Sequence, residues 1–316
     1  MQNSAKKIAR LTAVSLAFAA QLAAAAGNIA FTAEQAYPEG IAYSAQEGSF
    51  LVSSISHGDI GKVSPDGHYR VFIQDKALVS SVGMFLDAGR NTLWVANGDV
   101  GLSDHSAPET LRKLAAVAAY DATTGERRSY HDLGHLLPGA HFANDVAVDA
   151  AGNVYVTDSL APVVYRVDPA GNASVFARDE RFAGEDIALN GIVAHPDGYL
   201  LVNKNDTGEL FRISLRDPQQ VTAIGLPALL EGADGMVLGD SGVVTLVQNG
   251  DADRVVALVS ADGWNTATVQ GERKSLLSYP TTAAIVGADV YFLNSRLDTL
   301  MTPGAARVSD YLLQKY

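Results

Sequence analysis

Residues 144–156 read NDVAVDAAGNVYV, and this stretch carries the grammar of the whole chain. Apolar residues alternate over 146–148, a turn signal falls at Ala151-Gly152-Asn153, and a second apolar stretch covers 154–156. Alternation with a period of two marks a half-buried strand, and glycine next to Asn supplies the backbone freedom of a tight turn. The pattern continues downstream. A third apolar run spans Val163–Val167, a turn follows at Pro169-Ala170-Gly171, and a fourth run covers 174–177. Four short antiparallel strands joined by tight turns are predicted.

Working outward, the same unit recurs. Glu39 opens EGIAYSAQEGSFLVSS, Val82 opens VGMFLDAGRNTLWVAN, Asn190 opens NGIVAHPDGYLLVNK, Asp234 opens DGMVLGDSGVVTLVQ and Thr281 opens TTAAIVGADVYFLNS. The six starts lie 43 to 47 residues apart, except for an interval of 62 between Val82 and Asn144. Four strands per 40–50 residues is the period of a propeller blade. The expected fold is all-β: a six-bladed β-propeller of four-stranded antiparallel blades, forming a single domain over residues 27–316. An open β-sandwich would not explain six repeats with a common opening. The last repeat lacks a clear fourth strand, and Ile29–Thr32 is expected to supply it and close the ring, removing a free sheet edge.

The long interval points to an insertion at 99–116, between the second and third strands of its blade. Ser106-Ala107-Pro108-Glu109 reads as a helix start, so a short helix is expected. It should sit over the mouth where the innermost strands begin, either as a lid or as surface decoration.

Composition narrows the function classes. Lys6, Lys7 and Arg10 precede an Ala-rich apolar run and small residues at 23–26, the layout of a cleaved secretory signal peptide over residues 1–26. The apolar run is short for a membrane span. The mature protein is expected in the periplasm or secreted, as a soluble monomer with no membrane attachment. The full chain carries a net charge of −12, and losing those three basic residues makes it more acidic still. Such a chain repels phosphate backbones, which argues against nucleic acid as a partner. With no cysteine, disulfides, thiolate metal sites and cysteine nucleophiles are excluded. The sequence shows no serine-nucleophile elbow and no phosphate-cradling glycine loop.

The first residue of each innermost strand should face the propeller axis. In order these are Glu39, Val82, Asn144, Asn190, Asp234 and Thr281. Asn and Asp are common beside turns, and any one of them could be a cap. Four hard oxygen donors at equivalent points of four repeats point instead to one divalent cation held by Glu39, Asn144, Asn190 and Asp234. Calcium is the first expectation, with magnesium, manganese or zinc as alternatives.

At these residues the chain resembles a known family. Pro38-Glu39-Gly40, Asn144-Asp145, Leu189-Asn190-Gly191-Ile192 and Ala233-Asp234-Gly235-Met236 are similar to the metal-site motifs of the senescence-marker-protein/gluconolactonase propellers, and diisopropyl fluorophosphatase and the paraoxonases have a similar site. The resemblance implies a divalent-metal-dependent hydrolase acting on a lactone or ester. There are two departures. Sugar-lactone members usually carry arginine two residues before the first ring asparagine, where this chain has Phe142, which points to a less polar substrate. The paraoxonases follow the ring glutamate with aspartate, where this chain has Gly40.

On this reading the substrate is a small molecule and Asp234 orients or deprotonates the attacking water. A histidine could serve as base instead: His57 and His105 lie on loops expected at the mouth, and His141 lies just before Asn144. Phe142, His57 and His141 are the expected substrate contacts. Asp158, Asn203, Asn249 and Asn294 end second strands on the same face and either meet substrate or cap loops. The rival reading is a non-catalytic calcium-bound propeller that binds a ligand or protein. A strictosidine-synthase-like propeller, which does not need the oxygen ring, is a third.

Overall fold

The computed structural model describes residues 27–316, so the leader expected over residues 1–26 lies outside the described residues. The strands form six sheets of four, each pairing strands in meander order. In the blade read first, the strands are Ala143–Val148, Val154–Asp158, Val163–Val167 and Ala173–Arg178, all antiparallel. The innermost strands of the other blades, in order, are Ile41–Ser44, Ser80–Asp87, Leu189–His195, Ala233–Leu238 and Pro280–Val286. The fold is the predicted six-bladed propeller.

The ring closes as expected. Ile29–Thr32 pairs antiparallel with Asp310–Lys315, Ile29 opposite Leu313 and Thr32 opposite Asp310. The last blade thus takes its outer strand from the beginning of the described chain. Apolar residues from facing blades fill the space between them. Ala147, Tyr155 and Val164 of the third blade, for example, pack with Ile192, Leu200 and Phe211 of the fourth.

Side chains near the axis stitch each blade to the innermost strand of the next. Thr157 Oγ1 donates to the Asn190 carbonyl at 2.7 Å, Asn203 Nδ2 to the Asp234 carbonyl at 2.6 Å, and Thr281 Oγ1 to the Glu39 carbonyl at 2.7 Å. The main-chain N–H of Ser54 donates to Ser81 Oγ at 2.8 Å. Each bond crosses from one blade to the next, satisfying buried main-chain groups that the blade's own ladder leaves open.

The insertion leaves between Thr92–Gly98 and Ala115–Asp121, where expected. The short helix predicted within it does not form, and turns replace it. Ser106 does not cap a helix, because its hydroxyl donates to the buried Asp99 carboxylate at 2.7 Å, as does Thr110 Oγ1. Arg112 then adopts φ +54°, outside the helical region, and its N–H returns to the Asp99 carbonyl. A buried acceptor at the start of the same insertion wins over the capping preference.

Candidate functional site

The ladder breaks at the axis. In the blade of Asn144, Ala143 pairs with Asp158 but Val146 pairs with Val156, so three steps on one strand face two on its partner. The same one-residue excess occurs between Ser81 and Met84, Leu189 and Ile192, Ala233 and Met236, and Pro280 and Ala283. A bulge re-aims the residues it contains. In these five blades it contains Val82, Asn144, Asn190, Asp234 or Thr281. Glu39 stands just ahead of the strand of the remaining blade.

The residue after each ring position is packed against the next innermost strand. A Cβ on Gly40, Gly191 or Gly235 would strike Val82 O, Asp234 O or Thr282 Oγ1, and one on Gly83 would strike the Asp145 carboxylate. Glycine is needed there because backbone and side chain of the neighbouring strand occupy the space.

The structure brings the four predicted donors together. Glu39, Asn144, Asn190 and Asp234 all lie at the floor of one cavity, of about 130 Å³, and all are buried. Each contributes one buried oxygen without a hydrogen-bond partner: Glu39 Oε2, Asn144 Oδ1, Asn190 Oδ1 and Asp234 Oδ1. Native interiors leave few such atoms, so four on one cavity floor are notable. The other two ring positions offer none: Val82 has no donor atom, and the Thr281 hydroxyl is spent on Glu39 O.

Neighbours fix the orientation of this set. Asn144 Nδ2 donates to Ser159 Oγ at 2.9 Å, and that hydroxyl donates onward to Leu189 O at 2.6 Å, so the Asn144 amide turns its oxygen to the cavity. Asn249 Nδ2 donates to Asp234 Oδ2, leaving Oδ1 open. Burial pushes the Glu39 carboxyl well above the ordinary range, and the charges of Asp234 and Asp145 push it the same way. Asp234 is raised too, by burial first and then by Asp145. In the absence of positive charge, these acids resist joint ionisation.

The cavity wall is apolar: Ile55, Val100, Leu102, Phe142, Leu297 and Met301 among others. Val100 and Leu102 belong to the insertion, which therefore covers the mouth above the ring. Its flanks are tied to two other blades by the His57–Asp104 hydrogen bond, at 3.1 Å, and the Arg112–Asp186 ion pair, at 3.3 Å.

Phe142 stands on the wall, as expected of a substrate contact. His57 and His141 do not, and both ring nitrogens of each are engaged. His57 meets Asp104 Oδ2 and the Glu34 carbonyl; His141 meets Asp158 Oδ2 at 2.8 Å and the Leu137 carbonyl at 2.8 Å. His105 turns Nδ1 to the Leu78 carbonyl. These imidazoles are tethers, with no ring nitrogen of His57 or His141 left to take a proton from water. Among the strand-ending polar residues, Asp158 caps its loop by accepting the N–H groups of Phe142, Leu160 and Ala161, and Asn294 Oδ1 accepts from Ser275 and Leu277. Asn203 stitches strands, and Asn249 reaches the cavity. Sequence reasoning missed Ser159 and Tyr279. Tyr279 lines the cavity two residues before a ring position, the same offset as Phe142, and that offset was the available signal.

No protein-family model and no curated protein matches the chain. Solved structures of similar fold are found. The major allergen Mala s 1 of Malassezia sympodialis aligns with a TM-score of 0.72 and 18% identity over 92% of this chain and 96% of that one. A luciferin-regenerating enzyme aligns at 0.63 and 12%, over 92% and 95%. The virginiamycin B lyase of Staphylococcus aureus aligns at 0.59 and 12%, over 91% and 99%. At these identities the likeness is one of fold: the chain is a six-bladed propeller of the architecture these proteins share.

Proposed function

We propose that the protein is a divalent-cation-dependent hydrolase of a lactone or ester, with Glu39, Asn144, Asn190 and Asp234 holding the ion. The observation that carries this reading is the set of four unpartnered buried oxygens at one cavity floor. Two carboxylates and two amide oxygens are hard donors suited to calcium or magnesium, and two negative charges balance a divalent ion. Left bare, such buried polar atoms are costly. When bound, the ion supplies a Lewis acid for a carbonyl oxygen.

The chain's own residues do the rest. Asn249 holds Asp234 Oδ2 and leaves Oδ1 for the ion, so the carboxylate stands at the cavity floor where it orients the attacking water. The wall of Ile55, Val100, Leu102 and Phe142 receives an apolar acyl group and excludes bulk water. Among the described residues, no Lys, Arg or His lines this cavity to hold a carboxylate or sugar acid. The motif resemblance favours the same chemistry, and two of the propellers of similar fold, a lyase and a luciferin-regenerating enzyme, are enzymes. The reading includes export by the N-terminal leader and a monomeric mature protein.

The test is hydrolysis of a panel of alkyl lactones and aryl esters by residues 27–316, with and without a chelator. Glu39→Gln and Asp234→Asn are expected to lose about 100-fold or more in activity while keeping the strand signature in circular dichroism. Full activity in both variants would sink the proposal.

A further inference from the structure

Two residues before the ring positions stand Tyr37, Ser80, Phe142, Ala188, Gly232 and Tyr279. Three of these have positive φ: Tyr37 at +46°, Gly232 at +75° and Tyr279 at +54°. Blade five meets this backbone requirement with glycine, which adopts it without a Cβ penalty. Blade six meets it with a bulky aromatic residue, which is a genuine outlier there. The backbone conformation does not demand the ring, which packs at the edge of the core and against the cavity. Strain of this kind gathers at functional sites.

The two strained tyrosines differ in what their hydroxyls do. The Tyr37 hydroxyl accepts the Val308 N–H at 2.9 Å and lies within 3.4 Å of Thr299 Oγ1, wholly inside the core. The Tyr279 ring lines the cavity beside Glu39 and Asp234, and its hydroxyl takes part in no hydrogen bond among the described residues. Its main chain is pinned on both sides, the N–H to Asp253 Oδ1 at 3.0 Å and the carbonyl to the Ser295 N–H at 3.2 Å. The other hydrogen-bond donors on the wall are spent: Asn205 donates to Ala233 O and Asn249 to Asp234.

We infer that Tyr279 is a catalytic residue of the hydrolysis proposed above, its phenol donating a hydrogen bond to the oxygen that leaves the acyl carbon. The role rests on that hydrolase reading. Water adds to the acyl carbon, the C–O bond to the leaving oxygen breaks, and the proton lost by the water ends on that oxygen. The phenol keeps its own proton throughout. Its hydrogen bond strengthens as negative charge gathers on the leaving oxygen, so it acts mainly in the transition state.

The experiment compares an alkyl δ-lactone with a 4-nitrophenyl ester in wild type, Tyr279→Phe and Tyr279→Gly. A poor alkoxide leaving group needs the donor and nitrophenolate does not, so Tyr279→Phe should lower kcat on the lactone by about 100-fold and on the ester by less than about threefold. The lactone KM and calcium affinity by calorimetry should change little. Tyr279→Gly should lose lactone turnover equally, and at some cost in thermal midpoint, because the ring packs against the core. Undiminished lactone turnover in Tyr279→Phe, or equal losses on both substrates, overturns the role while leaving the hydrolase reading intact. A wild type inert towards both substrates overturns the role and the hydrolase reading together.

Discussion

The Thr281 hydroxyl donates to the main-chain carbonyl of Glu39 at 2.7 Å, joining the ring residues of the last and first blades across 242 positions of sequence. That bond does two things. It seals the propeller at its axis beside the strand closure on the rim, and it removes Thr281 from the set of open oxygens.

Thr281→Val keeps the shape and deletes the donor, leaving the buried Glu39 carbonyl unpaired. A stability loss of about 1–2 kcal/mol is expected by urea denaturation. Calcium affinity, measured by calorimetry, should fall at the same time, because Glu39 loses its tether. A variant as stable as wild type would show that the ring does not depend on this bond.

Ser159 accepts the Asn144 amide N–H and so sets that amide with its oxygen towards the cavity. Ser159→Ala should therefore weaken cation binding by about 10-fold or more, as loss of a ligand's supporting hydrogen bond does elsewhere. Near-wild-type affinity would mean that Asn144 is oriented by packing alone.

His141 provides a pH signature unconnected with the cavity. The hydrogen bond to Asp158 is the largest cause holding its pKa above the ordinary value, against burial, and Asp132 adds in the same direction. The other titratable group facing it is the Tyr165 phenol, 3.2 Å from Nδ1, which burial keeps protonated. A raised folded pKa means that the native state holds the proton more tightly than the unfolded chain. The stabilisation is fully present below about pH 6.5 and is lost as pH rises through the folded value. Urea midpoints of wild type should decline more steeply over that window than those of His141→Gln. Parallel profiles would count against a charged His141–Asp158 pair.

Phe142 packs against Gly98 so closely that no Cβ fits there, which holds its ring on the cavity wall. Phe142→Arg should move the ratio of kcat/KM from alkyl lactones towards hydroxylated or acidic ones by about 10-fold or more, through a new charged donor. An unchanged ratio would show that substrate does not reach this wall.

Much of the molecule was legible in residue order. Strand alternation, Gly-containing turns and a period near 45 residues are local signals, and they located the blades, the six ring positions, the site of the insertion and the closing strand Ile29–Thr32. The four converging donors followed from the period, since equivalent positions of a closed ring must face one axis.

What only the tertiary structure decided concerns which groups find partners once the loops and blades are packed. Ser106 looks like a helix cap until Asp99 takes its hydroxyl. His57 and His141 look available until each finds two acceptors. Tyr279 looks like an ordinary strand-edge residue until its φ and its unspent hydroxyl are seen beside Asp234. The bulges that aim Asn144, Asn190 and Asp234 inward have no local mark beyond the glycines that follow two of them. Alternation is a property of neighbouring residues, so sequence carries it. Whether a given oxygen is satisfied depends on groups from a few to hundreds of residues away, and that is settled only when the chain has packed.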